Sequence, residues 1–102
     1  YYMSPEQFGD VNQVDHRSDM YSLGATLYYL STGSLPFPGD SVLEVMMGHL
    51  NRTPEAPHVL NPELSLAFSD LILRLLAKHP QHRYPDYSHL IADLQRLQVS
   101  RN

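Results

Sequence analysis

The chain has 102 residues, enough for one small core or part of a larger one. With 42% hydrophobic and 18% charged residues it has a globular rather than a disordered composition, and a net charge of −4 without any Lys/Arg run excludes a general nucleic-acid binder. The absence of cysteine excludes a disulfide framework, a thiol nucleophile and thiolate metal sites, and fits a reducing compartment. No basic-then-apolar leader is present, which says little for a chain that begins at Tyr1 without a start methionine, and no stretch is apolar enough to span a bilayer; the expected location is cytoplasmic.

Residues 1 to 14 contain Pro5, Gly9 and Asn12 with little periodicity, which predicts a loop with one helical turn capped by Ser4 with Pro5 at its first position. The next unit, 15–33, carries a helix from about Arg17 to Thr32, with Asp15 or Ser18 as cap and Gly33 as the left-handed residue that ends it. At about 100° per residue its apolar side chains Met20, Tyr21, Leu23, Ala25, Leu27, Tyr28 and Leu30 point almost all round, leaving a polar strip of Asp15, Asp19, Ser22 and Thr26. That pattern predicts a buried central post.

A Pro/Gly turn, 34–39, leads to a helix over 41–50, opened by the capping-box spacing of Ser41 and Glu44. Leu43, Met46, Met47 and Leu50 share one face of it, either core or an adaptable docking surface. Pro54, Pro57 and Pro62 exclude a long helix between Asn51 and Leu64 and predict a wrapping loop. Phe68, Leu71, Ile72, Leu75 and Leu76 form a full amphipathic face in a helix over 65–78, with Ser65 as cap and Lys78 and His79 near its negative end. Asp86 caps a last helix over 86–98, whose face is Tyr87, Leu90, Ile91, Leu94 and Leu97. The expected fold class is all-α, four helices plus loops.

Asp19 is the residue with most chemical interest. A carboxylate within a buried helix needs donors or a proton, and no later stretch offers an obvious set of backbone donors. The competing reading is that Asp19, near the helix start, faces solvent or helps cap the helix. His79 and His82 have metal-ligand spacing only on a helix, which Pro80 between them opposes. The other four histidines read as surface residues, and no metal site is expected. No Gly-x-Ser-x-Gly elbow and no Gly-rich phosphate loop is present.

Three stretches together resemble one family. Tyr2-Met3-Ser4-Pro5-Glu6 is similar to the segment that closes the activation region of protein kinases, in its bacterial Ser-Pro-Glu form. Asp15-x-Arg17-Ser18-Asp19-Met20-Tyr21-Ser22-Leu23-Gly24, continuing to Pro36-Phe37, resembles the kinase F helix and the turn after it. Leu75-Leu76-Ala77-Lys78-His79-Pro80-Gln81-His82-Arg83-Tyr84 is similar to the end of the H helix with its arginine. The resemblance implies a fragment of the protein kinase-like fold, the C-terminal part of the C-lobe: the end of the activation segment over 1–14 and the F, G, H and I helices over 15–33, 41–50, 65–78 and 86–98.

It also implies roles, residue by residue. Glu6 and Arg83 would form a buried ion pair; Asp19 would anchor the catalytic loop through its backbone donors. Tyr2, Met3 and Ser4 would shape the pocket for the substrate residue after the phosphorylated one, and the helix carrying Leu43, Met46, Met47 and Leu50 would dock protein partners. Two departures stand out: Tyr29 occupies a position where many basic-directed kinases carry glutamate, and His79 replaces the usual aspartate before proline. The Gly-rich loop, the strand lysine, the His-Arg-Asp loop and the Asp-Phe-Gly magnesium ligand have no match here and would lie before Tyr1. The implied function is the substrate-binding and scaffold portion of a Ser/Thr protein kinase. ATP and Mg would belong to the parent protein, and no catalytic residue and no cofactor to this chain. The parent's protein substrates are the expected partners, with self-association of the fragment, no nucleic acid, and any membrane anchor elsewhere in the parent. The alternative is a pseudokinase-derived or otherwise non-catalytic interaction module.

Overall fold

The structure, a computed structural model, describes residues 4–5, 16–39 and 41–100. Five α-helices follow one another: α1 (His16–Thr32), α2 (Val42–Asn51), α3 (Pro57–Leu60), α4 (Leu66–Leu75) and α5 (Tyr87–Ser100), with a 3₁₀ turn at Pro80–His82. Among the described residues there is no strand, so the fold is all-α. No described helix is long and apolar enough to cross a membrane.

The helix ends follow local chemistry. Gly33 takes φ +76°, where a side chain would be strained, and its N–H donates to the Tyr29 carbonyl at 2.8 Å to close α1. The Ser41 hydroxyl accepts the Glu44 N–H at 3.1 Å, and the Ser65 hydroxyl accepts the Phe68 N–H at 3.1 Å, capping α2 and α4. Asp86 caps α5 by accepting the His89 N–H at 3.0 Å. Its carboxylate also takes the His89 Nδ1–H, and that bond holds the Asp86 pKa below its ordinary value. The capping role expected of Ser4 for a first turn, like that of Asp15 for α1, involves residues outside the described ones.

The core is built where α4 wedges against α1. Leu71 and Leu75 join Met20, Tyr84 and Leu90 in one cluster, while Ile72 and Leu76 join Tyr21, Ala25 and Tyr28 in a second. Each of these aliphatic side chains contributes about 1.5–3 kcal/mol by leaving water. The two backbones approach closely at Gly24, where an added Cβ would stand 2.7 Å from the Leu75 Cβ.

Two expectations about faces are corrected. α1 is not buried all round: Ser18, Met20, Tyr21, Gly24, Ala25 and Tyr28 are covered, whereas Tyr29 and Leu30 are 45% and 73% exposed. The described elements pack on one side of the post, α4 and α3, and leave the other open. In α5 the inward face is narrower than expected. Leu90 is buried and Leu94 and Leu97 are partly buried against the first cluster, but Tyr87 and Ile91 point outward.

The segment between α2 and α4 wraps as expected but holds a turn of helix, α3, begun by Pro57 at its first position, where a missing N–H costs nothing. It is fastened by polar bonds. The Tyr28 hydroxyl donates to the Glu55 carbonyl at 2.6 Å, the Asn61 side chain donates to the Ser31 carbonyl at 2.9 Å, and the His58 N–H donates to the Ser69 hydroxyl at 3.2 Å. Burial, with Glu55 as a lesser cause, raises the Tyr28 pKa above its ordinary value.

Candidate functional site

Asp19, Leu23, Thr26 and Leu30, spaced 4, 3 and 4 apart, lie along one stripe of α1, and all four are exposed. The hydroxyls of the polar strip are satisfied within the helix: Ser22 donates to the Ser18 carbonyl at 3.3 Å and Thr26 to the Ser22 carbonyl at 3.0 Å. The stripe is therefore an apolar surface bearing one carboxylate, on the side of the post opposite α4.

Behind it lies Arg83, 1% exposed, the bulkiest fully buried side chain described. Its Nε donates to the Ala77 carbonyl at 2.8 Å, one terminal nitrogen to the Arg17 carbonyl at 2.9 Å and the other to the Lys78 carbonyl at 3.5 Å, with the guanidinium 4.8 Å above the Tyr21 ring. One side chain thus ties the N-terminal turn of α1 to the segment after α4. Sequence reading missed these acceptors because every residue owns a carbonyl. Glu6, the expected ion-pair partner, lies outside the described residues, as do Tyr2 and Met3. Ser4 is fully buried.

The α2 stripe proves to be surface rather than core. Leu43 is 65% exposed, Met47 and Leu50 are also exposed, and Met46 is half-buried. Val42 extends the patch. The helix instead turns Val45, Gly48 and His49 inward. His49, expected at the surface, is buried: its Nδ1 shares a 2.7 Å hydrogen bond with the Tyr21 hydroxyl, and its ring meets the Phe37 ring edge-on at 5.0 Å.

Lys78, expected to serve the negative end of its own helix, serves that of α2. Its ammonium donates to the Gly48 carbonyl at 2.9 Å and lies 4.0 Å from the centre of the Phe37 ring. Burial first, then the charges of Arg83 and Arg52, pull its pKa down to about 8.

His79 and His82 meet edge-to-face at 5.5 Å on an exposed turn, and among the described residues no three His, Asp or Glu side chains group as metal ligands. A cleft of about 440 Å³ between α4 and α5 is lined by Asp70, Arg74, Tyr84, Asp93 and Arg96 among others. Its charged groups engage one another: the Tyr84 hydroxyl donates to Asp93, Arg96 pairs with the same carboxylate, and Arg74 lies over the Tyr84 ring.

The site thus comprises an open post carrying one carboxylate, a buried arginine bonded to backbone carbonyls, and a neighbouring helix with an outward apolar face. The protein kinase domain family matches residues 1–93, and the chain belongs to that family. It is similar to bacterial members in particular. Over 97 residues it is 43% identical to serine/threonine-protein kinase PknB of Mycobacterium tuberculosis, covering 94% of this chain and 15% of that protein. It is 40% identical over 94 residues to the probable serine/threonine-protein kinase SCO3848 of Streptomyces coelicolor, covering 92% of this chain and 14% of that one. Among solved structures, a chain described as titin kinase and its flanking domains aligns with a TM-score of 0.72 and 28% identity, over 92% of this chain and 16% of its own. The chain thus spans about 15% of the length of the relatives it matches.

Proposed function

We propose that these residues form the substrate-docking and scaffold portion of a Ser/Thr protein kinase catalytic domain, whose parent transfers the γ-phosphate of ATP to protein hydroxyls. In this reading α1, α2, α4 and α5 are the F, G, H and I helices and residues 1 to 14 end the activation segment. The observation that carries it is the exposed α1 stripe. A post packed on one side, and offering Asp19 amid Leu23 and Leu30 on the other, is shaped to receive a further piece of backbone whose N–H groups the carboxylate accepts. Glu6 pairs with Arg83, Tyr2, Met3 and Ser4 contribute to the substrate pocket, and the outward face of α2 receives protein partners.

ATP and magnesium find no fitting ligand set here. The sequence has no Gly-rich phosphate loop, and the described carboxylates and histidines do not group as metal ligands. No chemical step is assigned to these residues, which hold and orient. Exposed apolar surface on α1 and α2 gives the isolated chain a tendency to self-associate.

The test has two arms. The purified 102 residues are expected to transfer no phosphate from ATP to a protein acceptor; activity above background would end the proposal. In the longer kinase, Asp19→Asn is expected to cut kcat by about 10–100-fold through a misplaced catalytic loop, and an unchanged kcat would remove the anchoring role.

A further inference from the structure

Among the described residues, the polar and ring contacts that hold α2 to other elements gather near its C-terminal turn. α1 and α4 pack helix on helix, but the inward residues of α2, Val45, Gly48 and His49, meet chiefly side chains reaching in from elsewhere. Gly48 sits so close to the turn after α1 that an added Cβ would lie 2.5 Å from the Phe37 Cβ. His49 bonds to Tyr21, and the third contact is Lys78, the only lysine in the sequence.

We propose that Lys78 is a positioning residue for α2: its ammonium, set on the Phe37 ring and bonded to the Gly48 carbonyl, fixes the attitude in which the helix presents Leu43, Met47 and Leu50 to a protein partner. Three features support this. The Gly48 carbonyl already accepts the Arg52 N–H at 3.0 Å, so the lysine adds a second donor at the last turn, where carbonyls outnumber donors and the helix dipole is negative. The backbone that carries Lys78 is itself held, since Arg83 clasps the Ala77 and Lys78 carbonyls. The ammonium also keeps these contacts where burial first, and then the charges of Arg83 and Arg52, disfavour its charged form; the contacts with Gly48 and Phe37 oppose that penalty.

The presentation to a partner rests on the docking role proposed above, while the fixing of α2 does not. The experiment therefore uses no partner. Amide hydrogen exchange is followed on the whole chain, with amides 46–52 compared with those of α4. Lys78→Met keeps the alkyl stem over Phe37 and removes the ammonium; exchange over 46–52 is expected to rise about tenfold while α4 is unchanged, with Lys78→Arg recovering most of the protection. Acetylation of the folded wild-type chain, whose only side-chain amine is Lys78, removes the cation without refolding and is expected to loosen the same amides. Wild-type exchange over 46–52 in both altered forms, or equal loosening of α4, would overturn the inference. Local loosening supports it even if α2 proves to bind no partner.

Discussion

Helices α1 and α2 each press a glycine against an apolar neighbour, but on different seats. Gly24 of α1 meets Leu75, the last residue of α4, a helix that contributes to both core clusters. Gly48 of α2 meets Phe37, which belongs to a turn. A helix seated on a helix shares its fate, because neither can move without opening the core between them. A helix seated on a turn and a lysine can shift while the core stays shut. Of the two exposed apolar stripes, that of α2 thus sits on the more adjustable attachment and that of α1 on the firmer one.

Arg83 is the strongest place to break this contrast, because it serves both sides. Arg83→Leu removes the donors to the Arg17, Ala77 and Lys78 carbonyls, and each bond from a charged donor is worth about 1.5–3 kcal/mol. A loss of at least about 3 kcal/mol is expected in denaturant unfolding, together with loosening of α2; a smaller loss would mean that the carbonyls find other donors.

The same substitution made at both glycines sharpens the comparison. Gly24→Ala gains about 1 kcal/mol of helix propensity but overpacks a rigid seat at about 1–3 kcal/mol, so a net loss of global stability is expected from the unfolding midpoint. Gly48→Ala has the shorter approach, yet its clash is relieved by movement of α2 or the Phe37 turn. Global stability is expected to change by less than about 1 kcal/mol while exchange over 46–52 rises. Equal global losses would show that both helices belong to one cooperative unit.

The smallest effect is one of pH. The folded-state pKa of Lys78 lies near 8, below the ordinary lysine value of 10.5, so above pH 8 the folded chain binds fewer protons than the unfolded one and stability rises with pH. Tyr28 and Tyr84, whose pKa values burial raises above 10, act oppositely beyond pH 10, so the window is pH 8 to 10. Urea midpoints across that window are expected to climb in wild type and to climb less in Lys78→Met; parallel curves would contradict the burial of the ammonium.

Helix positions were legible because their ends are written in short-range chemistry: Gly33, Ser41, Ser65 and Asp86 mark termini that the fold places within about three residues of expectation. The faces were less legible. The apolar stripe of α2 read more readily as core than as a docking surface, and Gly48 and His49 gave no competing signal, since their contacts come from Phe37, Tyr21 and Lys78 outside the helix. Tyr87 and Ile91 matched the period of α5 but face away from the core. Helix α3 was hidden because its first residue is one of the prolines that argued against helix. At the candidate site, Asp19 stood out as a carboxylate within an apolar helix, whereas Arg83 drew notice only through the family resemblance. The carbonyls that Arg83 clasps did not, because a backbone acceptor leaves no mark on sequence.

The polar fastening of the 52–64 segment makes the molecule divisible. Residues 52–56 run outside any helix, with Arg52 and Thr53 exposed. A trypsin nick after Arg52 would separate a piece holding α1 and α2 from one holding α3, α4 and α5. The Asn61 bond to Ser31, the Arg83 bond to Arg17 and the whole α1–α4 seat all bridge the two pieces. The severed halves would therefore share one core as a two-part complex, with α2 on the same piece as the post and the lysine that holds it on the other.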